Sequence, residues 1–333
     1  MMEGKEGFKP RPYFGPDGLR DYCCTLDDIA VADRDESAPG RRGSRRRGER
    51  EETPGSGMPV SFELFLRAYI GGQRTFRFRF DGNARKKEEI LAMADRLCGL
   101  RAIGEDSGHL IVKDLLAESD LSPRAAVRRM HRLARELLEG AIDPGARPED
   151  PQEGDLRLSE VERLGWLVNR QYNLLAMDDA LARRLGLPRL KALGYVLVSA
   201  DLRSIAQAAA GLGGTAGTPP RAEAAGRIPH AGPGLVSLLD TAVQGAFLAR
   251  DPARAATVIG ILQGWRAELP VEPVVRRAGE RDPTEGDTDP ILLLDRICLS
   301  ITDIAEIGQE LGDHRGTREG PKGPGTGGGT EEG

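Results

Sequence analysis

Ser122 to Gly140 reads SPRAAVRRMHRLARELLEG. This stretch decides the fold class. Ser122 can cap a helix N-terminus, Pro123 suits the first helical position, and Gly140 can take the left-handed position that closes a helix. Between them Ala126, Val127, Met130, Leu133, Ala134, Leu137 and Leu138 recur at helical spacing, with most of the arginines on the opposite face. A second helix is expected to open at Ser159-Glu160-Val161-Glu162, a capping-box pattern. It would carry Val161, Leu164, Leu167, Val168, Tyr172 and Leu175 inward. A third runs from Leu190 to about Leu212.

Downstream the same arrangement recurs. Leu235, Leu238, Leu239, Ala242, Val243 and Phe247 mark one helix. Asp251-Pro252 ends it and starts the next, with Asp as N-cap. That next helix carries Val258, Ile259, Leu262 and Trp265. Residues 291–311 form the last helix, stopped by Gly312. The expected class is therefore mainly α, with two tandem three-helix repeats over residues 119–213 and 234–312. A Gly/Ala/Pro linker, 214–233, joins them. Duplicated helical bundles bind, dimerise and relay signals more often than they catalyse.

A small α/β module, residues 58–118, precedes the repeats. Thr75-Phe76-Arg77-Phe78-Arg79-Phe80 alternates as a half-buried strand should, and Asp81-Gly82-Asn83 turns out of it. Residues 86–100 place Ile90, Leu91, Met93, Ala94, Leu97 and Cys98 on one helical face, with Gly99 and Gly104 bracketing the exit. His109 to Val112 is a further strand. Residues 62–70 alternate like a strand, yet their length and Leu/Ala content also allow a helix.

The flanks differ in composition. Residues 1–57 and 313–333 are rich in Gly, Pro and charge and are expected to be disordered. The first includes a basic run, Arg41, Arg42, Arg45, Arg46, Arg47 and Arg50, with acids on both sides that blunt its field. The whole chain has 333 residues, 5% aromatics and a net charge of −5, which suits close-packed helices and argues against a general polyanion binder. Its four cysteines form no CxxC, so a reducing, cytoplasmic compartment is expected. Residues 1–12 are charged and carry no leader pattern, and no apolar run approaches the ~20 residues that span a bilayer.

Several stretches together resemble a known family. In order they are Tyr69-Ile70-Gly71-Gly72, Leu97-Cys98-Gly99-Leu100, Leu110 to Leu116, and Ala126-Val127-Arg128-Arg129-Met130. Glu160-Val161-Glu162-Arg163-Leu164 and Val168-Asn169-Arg170-Gln171 follow. Ala246 to Asp251 and Asp303-Ile304-Ala305-Glu306 complete the set in the second repeat. This series resembles the archaeal-type PhoU proteins, over residues 60–312. The resemblance implies a PhoU-like bundle of two three-helix repeats, often dimeric. It would be a cytoplasmic, non-enzymatic adaptor in phosphate uptake and homeostasis, between a phosphate ABC transporter ATPase and a signalling protein, and peripheral at the membrane through that transporter. Many relatives of this type carry an N-terminal AbrB-like strand domain. Its pattern has no match before Met58.

The resemblance also implies carboxylates four residues apart on facing helices, around a divalent metal or iron. Here that ligand set is eroded. Glu160, Glu162 and Asp295 remain, but Leu158, Gly260, Gly264 and Leu299 stand where partners would be, and Arg203 and Gln207 occupy the aligned positions of the third helix. No cofactor is therefore expected, and Arg203 could pair with Glu162 in place of a metal. His131 is read as a half-exposed surface residue, and no nucleophile–base pair can be placed. The alternative function is a nucleic-acid-binding regulator that uses Arg41, Arg42, Arg45, Arg46 and Arg47 on phosphates, with the bundle for dimerisation.

Overall fold

The computed structural model describes residues 30–31, 61–80, 82–106, 108–116, 122–143, 145, 151–213, 231–269 and 290–316. The Arg41–Arg47 run and residues 214–230, 270–289 and 317–333 lie outside the described residues, and the expected linker 214–233 is shortened by a helix that starts at Ala231. The described chain is mainly helical, with one small antiparallel sheet.

The N-terminal module is built on phenylalanines. Helix α1 (Phe62–Ile70) buries Phe65 and Tyr69, one turn apart. That settles the ambiguous segment as a helix. Strand β2 (Thr75–Arg79) buries Phe76 and Phe78 and turns Arg79 outward. The Phe65 ring meets both at 4.8 Å, edge-on. Helix α2 (Ala84–Asp95) is capped by Asn83, whose Oδ1 accepts from the Lys86 N–H. Strands β3 (Leu100–Asp106) and β4 (His109–Asp114) form a hairpin, and β4 pairs with β2 in the register Phe76 to Val112. The sequence reading missed β3. Only Leu100 of that strand is buried, and a bulge sits between Ala102 and Gly104, so no apolar alternation marks it. Ala30–Val31, inside the segment expected to be disordered, form a short edge strand (β1) on β2.

Helices α3 (Pro123–Ile142), α4 (Pro151–Met177) and α6 (Arg189–Gly213) pack on one another. Short α5 (Asp179–Arg184) lies between α4 and α6, capped by Asp178. A second set follows. Helix α7 (Ala231–Asp240) continues as a π-helical segment (Thr241–Leu248), then come α8 (Pro252–Glu268) and α9 (Pro290–Gly316). Helix α6 packs against α9, so one helix of each set forms the seam between them. A single apolar core runs through both sets, from Val127 and Leu202 to Ile297 and Ile304. Each fully buried Leu or Ile there contributes roughly 1.5–3 kcal/mol. Among the described residues, no helix is long and apolar enough to cross a membrane.

Three expected helix ends move. Helix α3 passes Gly140, which is buried within it, and closes at Asp143. Helix α4 starts at Pro151, so Ser159 is interior and not a cap. Its polar first turns are held by ion pairs: Arg157 meets Glu153 at 2.6 Å and Glu136 of α3 at 3.4 Å. Helix α9 runs through Gly312 to Gly316.

Close approach is most severe at Gly308 of α9. A Cβ there would lie 2.6 Å from the Ala246 carbonyl carbon and 2.8 Å from the Phe247 nitrogen, in the π segment. Backbone cannot swing aside as a side chain can. Gly308→Ala is expected to destabilise the protein by about 1–3 kcal/mol, the range of overpacking. Gly260→Ala on α8, where nothing lies within 4 Å, should instead stabilise by about 0.5–1 kcal/mol. Urea unfolding of the two variants checks both signs.

Candidate functional site

The family-like carboxylates are engaged by other side chains. Glu160 on α4 pairs with Arg129 of α3 at 3.0 Å and with Arg163 at 3.2 Å. Glu162 accepts from Gln207 of α6 at 3.4 Å. Asp295 on α9 pairs with Arg266 of α8 at 2.7 Å. Glu160 and Glu162 line one groove of about 470 Å³, together with Arg129, Arg157 and Trp166. Asp295 belongs to a different seam. Among the described residues, no three His, Cys, Asp or Glu side chains are grouped as metal ligands. Arg203 does not ion-pair with Glu162 as expected. Its stem crosses Gly165, where a Cβ would meet Arg203 Cδ at 2.7 Å, and its guanidinium stacks 4.5 Å over the Trp166 ring. Only through space does the Glu162 carboxylate act on it.

A more tightly built site lies where the α/β module meets α4. Gly71 and Gly72 end α1, and Gly72 has φ +94°, a conformation that favours glycine. A Cβ at Gly72 would meet Leu174 at 2.9 Å, so the missing side chain also lets the turn rest on α4. The last carbonyls of α1 have no i+4 N–H within the helix, and that of Tyr69 accepts from the Gly72 N–H at 3.0 Å, which leaves acceptor capacity at this end. Arg170 of α4 receives these carbonyls. Its Nη1 donates to the carbonyls of Tyr69 and Gln73, and its Nη2 donates to that of Gly72 at 3.3 Å. Asn173, one turn along, donates to the Ile70 carbonyl at 3.1 Å. A guanidinium also complements the negative end of the α1 dipole.

The Arg170 charge is balanced by Asp114, at the end of β4, at 2.8 Å. The arginine side chain is 4% exposed and the aspartate 6%. The second Asp114 oxygen accepts from the Leu116 N–H at 3.0 Å. Gly99, with φ +83°, leaves room for that carboxylate, because a Cβ there would approach Asp114 Oδ1 to 2.7 Å. Tyr69 closes the cluster. Its ring lies 4.8 Å from the Arg170 guanidinium and its hydroxyl donates to the Cys98 carbonyl at 3.0 Å. Burial pushes the Tyr69 phenol well above its usual range. It also pushes the Cys98 thiol up to about 11, so Cys98 is a protonated packing group at neutral pH.

Beside this cluster is a cavity of about 250 Å³. Its walls come from the end of α1, the exit of β4, the N-terminus of α3, α4, the α5 turn and the start of α6. The floor is leucine-rich and includes Leu167, Leu175 and Leu187. Among the described residues, the charged ones on its wall are Arg74, Arg124, Arg170, Lys191 and Asp114.

Two further ionisable groups lie within the bundle. His131 is 5% exposed, contrary to the surface position expected from its basic helix. Its Nε2 is 2.9 Å from Asp240 of α7, and its Nδ1 is 3.3 Å from the Gln244 amide in the π segment. Burial holds its pKa below the usual value, and Asp240 opposes that shift. Asp201 of α6 faces Asp303 of α9. Burial first, and then the like charge, push Asp201 up to about 7. The junction and these groups escaped the sequence reading because their partners lie far apart along the chain. No family model, curated protein or solved structure matches the chain.

The raised Asp201 has a definite sign. Its folded pKa exceeds the ordinary 3.8, so the folded state holds the proton more tightly than the unfolded chain. The stabilisation it gives is complete below about pH 3.8 and is lost as pH rises through about 7. Asp201→Asn should therefore gain stability relative to the parent as pH is raised from 4 to 8. Urea midpoints of both proteins across that range check it, and parallel curves would rule it out.

Proposed function

We propose that the chain is a PhoU-like regulator of phosphate uptake and homeostasis, acting without catalysis as an adaptor through its helix faces. The observation that carries this reading is the meeting of two family-like stretches. Tyr69-Ile70-Gly71-Gly72 and Val168-Asn169-Arg170-Gln171 are about a hundred residues apart in sequence, yet the second caps the first. The grouping of α3, α4 and α6, and of α7, α8 and α9, supports two tandem three-helix repeats with α6 and α9 as their shared seam.

An adaptor needs rigid faces whose ordering cost is met before the partner arrives. The continuous core supplies that rigidity. In this reading metal plays no part, since Glu160 and Asp295 already hold arginines and Glu162 an amide. The protein is proposed to be a cytoplasmic homodimer that contacts the ATPase of a phosphate transporter or its signalling protein.

The purified chain should sediment at twice its 36.0 kDa mass. It should retain the transporter ATPase on an affinity column, and deleting it should alter the response of phosphate uptake to external phosphate. A monomer that retains no transporter component, with uptake unchanged in the deletion strain, would end this reading.

A further inference from the structure

The cavity between the α/β module and the first three helices has a charge imbalance that packing does not require. Among the described residues, Arg74 and Arg124 line it beside the Arg170–Asp114 pair, whose carboxylate is already held by Arg170. Tyr195 stands on the same wall. The charges acting on its phenol are those of Arg124, Arg250 and Arg128, all cations. The N-terminus of α3 opens onto the cavity at Ser122 and Pro123, and this 20-residue helix adds its positive dipole end to the same side. The leucines of α4 and of the α5 turn line the same cavity.

Structural arginines are normally drawn into pairs. Arg74 donates to the Leu116 carbonyl at 3.2 Å, an interaction that leaves its charge unbalanced. Arg124 is exposed at the cavity mouth. A cavity lined by both guanidinium groups and leucines selects for a ligand of matching polarity.

We propose that this cavity binds a small organic anion, with its anionic head between Arg74 and Arg124 at the α3 N-terminus and its apolar body on the leucine floor. The cavity volume sits just below the range of about 300–1,000 Å³ that holds drug-sized ligands, which favours a short acyl or aryl body. Binding here would bridge the α/β module and the bundle. It is independent of transporter contacts, so its failure would leave the adaptor reading standing, and the converse also holds.

Titration calorimetry on the full chain tests the proposal, with octanoate as the probe. Acetate, inorganic phosphate and octanol serve as probes lacking the body, the body, and the charge. Saturable one-to-one binding of octanoate is expected, with each of the other three weaker by about tenfold or more. Replacing both surface guanidinia (Arg74→Gln with Arg124→Gln) should weaken octanoate by about tenfold or more, the loss expected for charge-assisted hydrogen bonds. The urea midpoint of that variant should not move, because neither side chain is in the core. Equal binding of octanol would remove the anion from the proposal, and equal binding of acetate or phosphate would remove the apolar body. Absence of octanoate binding, or an affinity unchanged in the double variant, overturns it outright. Glu118 and Asp120, in the stretch between Leu116 and Ser122, give one more overturning result. If only Glu118→Gln with Asp120→Asn binds octanoate, the chain neutralises its own cavity.

Discussion

The Arg170–Asp114 pair is the constraint on which the arrangement of the two halves depends. One guanidinium satisfies three backbone carbonyls at the end of α1 and the carboxylate at the end of β4. Removing two charges from water costs several kcal/mol per ion, and the cost is recovered only where geometry is good and the remaining donors are used. Here the donors are used on the backbone carbonyls of the turn that ends α1. The pair therefore does more than hold two side chains together. It terminates a helix, fixes the exit of a strand and sets the angle at which the module meets α4.

The neighbouring features follow from that placement. Gly72 must turn with positive φ to bring its carbonyl to Arg170, and Gly99 must lack a side chain for Asp114 to reach its position. Once the module is seated, Trp166 of α4 can pack against the phenylalanine core on one side while Arg203 stacks on it from the other. The cavity lies beside the ion pair, where the end of α1, the exit of β4 and the N-terminus of α3 come up against α4 and α6. Arg74 and Arg124 line it beside that pair.

Much of the helical architecture was legible. Val127, Met130, Leu138, Val161, Leu164, Val168, Leu235, Leu239 and Val243 were read as inward, and all are buried. Periodicity reports burial, and burial is what it recovered. Helix ends were less legible because glycine has two meanings. Gly140 and Gly312 looked like stops, yet both lie inside helices. Strand β3 left no trace because its side chains after Leu100 are exposed. At the site, Glu160, Glu162 and Asp295 were singled out as remnants of a ligand set, and their partners Arg129, Arg163, Gln207 and Arg266 were not foreseen. Arg170 was noticed only as part of a resemblance. Its partners lie 56 to 101 residues away, and no local pattern encodes such a contact.

The most direct measurement of this account is a double-mutant cycle on the junction, read by urea unfolding of Arg170→Met, Asp114→Leu and the pair. Each single change leaves the other charge buried and unpaired, and should cost about 3–5 kcal/mol. The double variant should cost clearly less than the two combined, because it removes both charges together. Single variants that lose less than about 1 kcal/mol, the range of exposed ion pairs, with costs that simply add, would show that the module is not held to the bundle through Arg170.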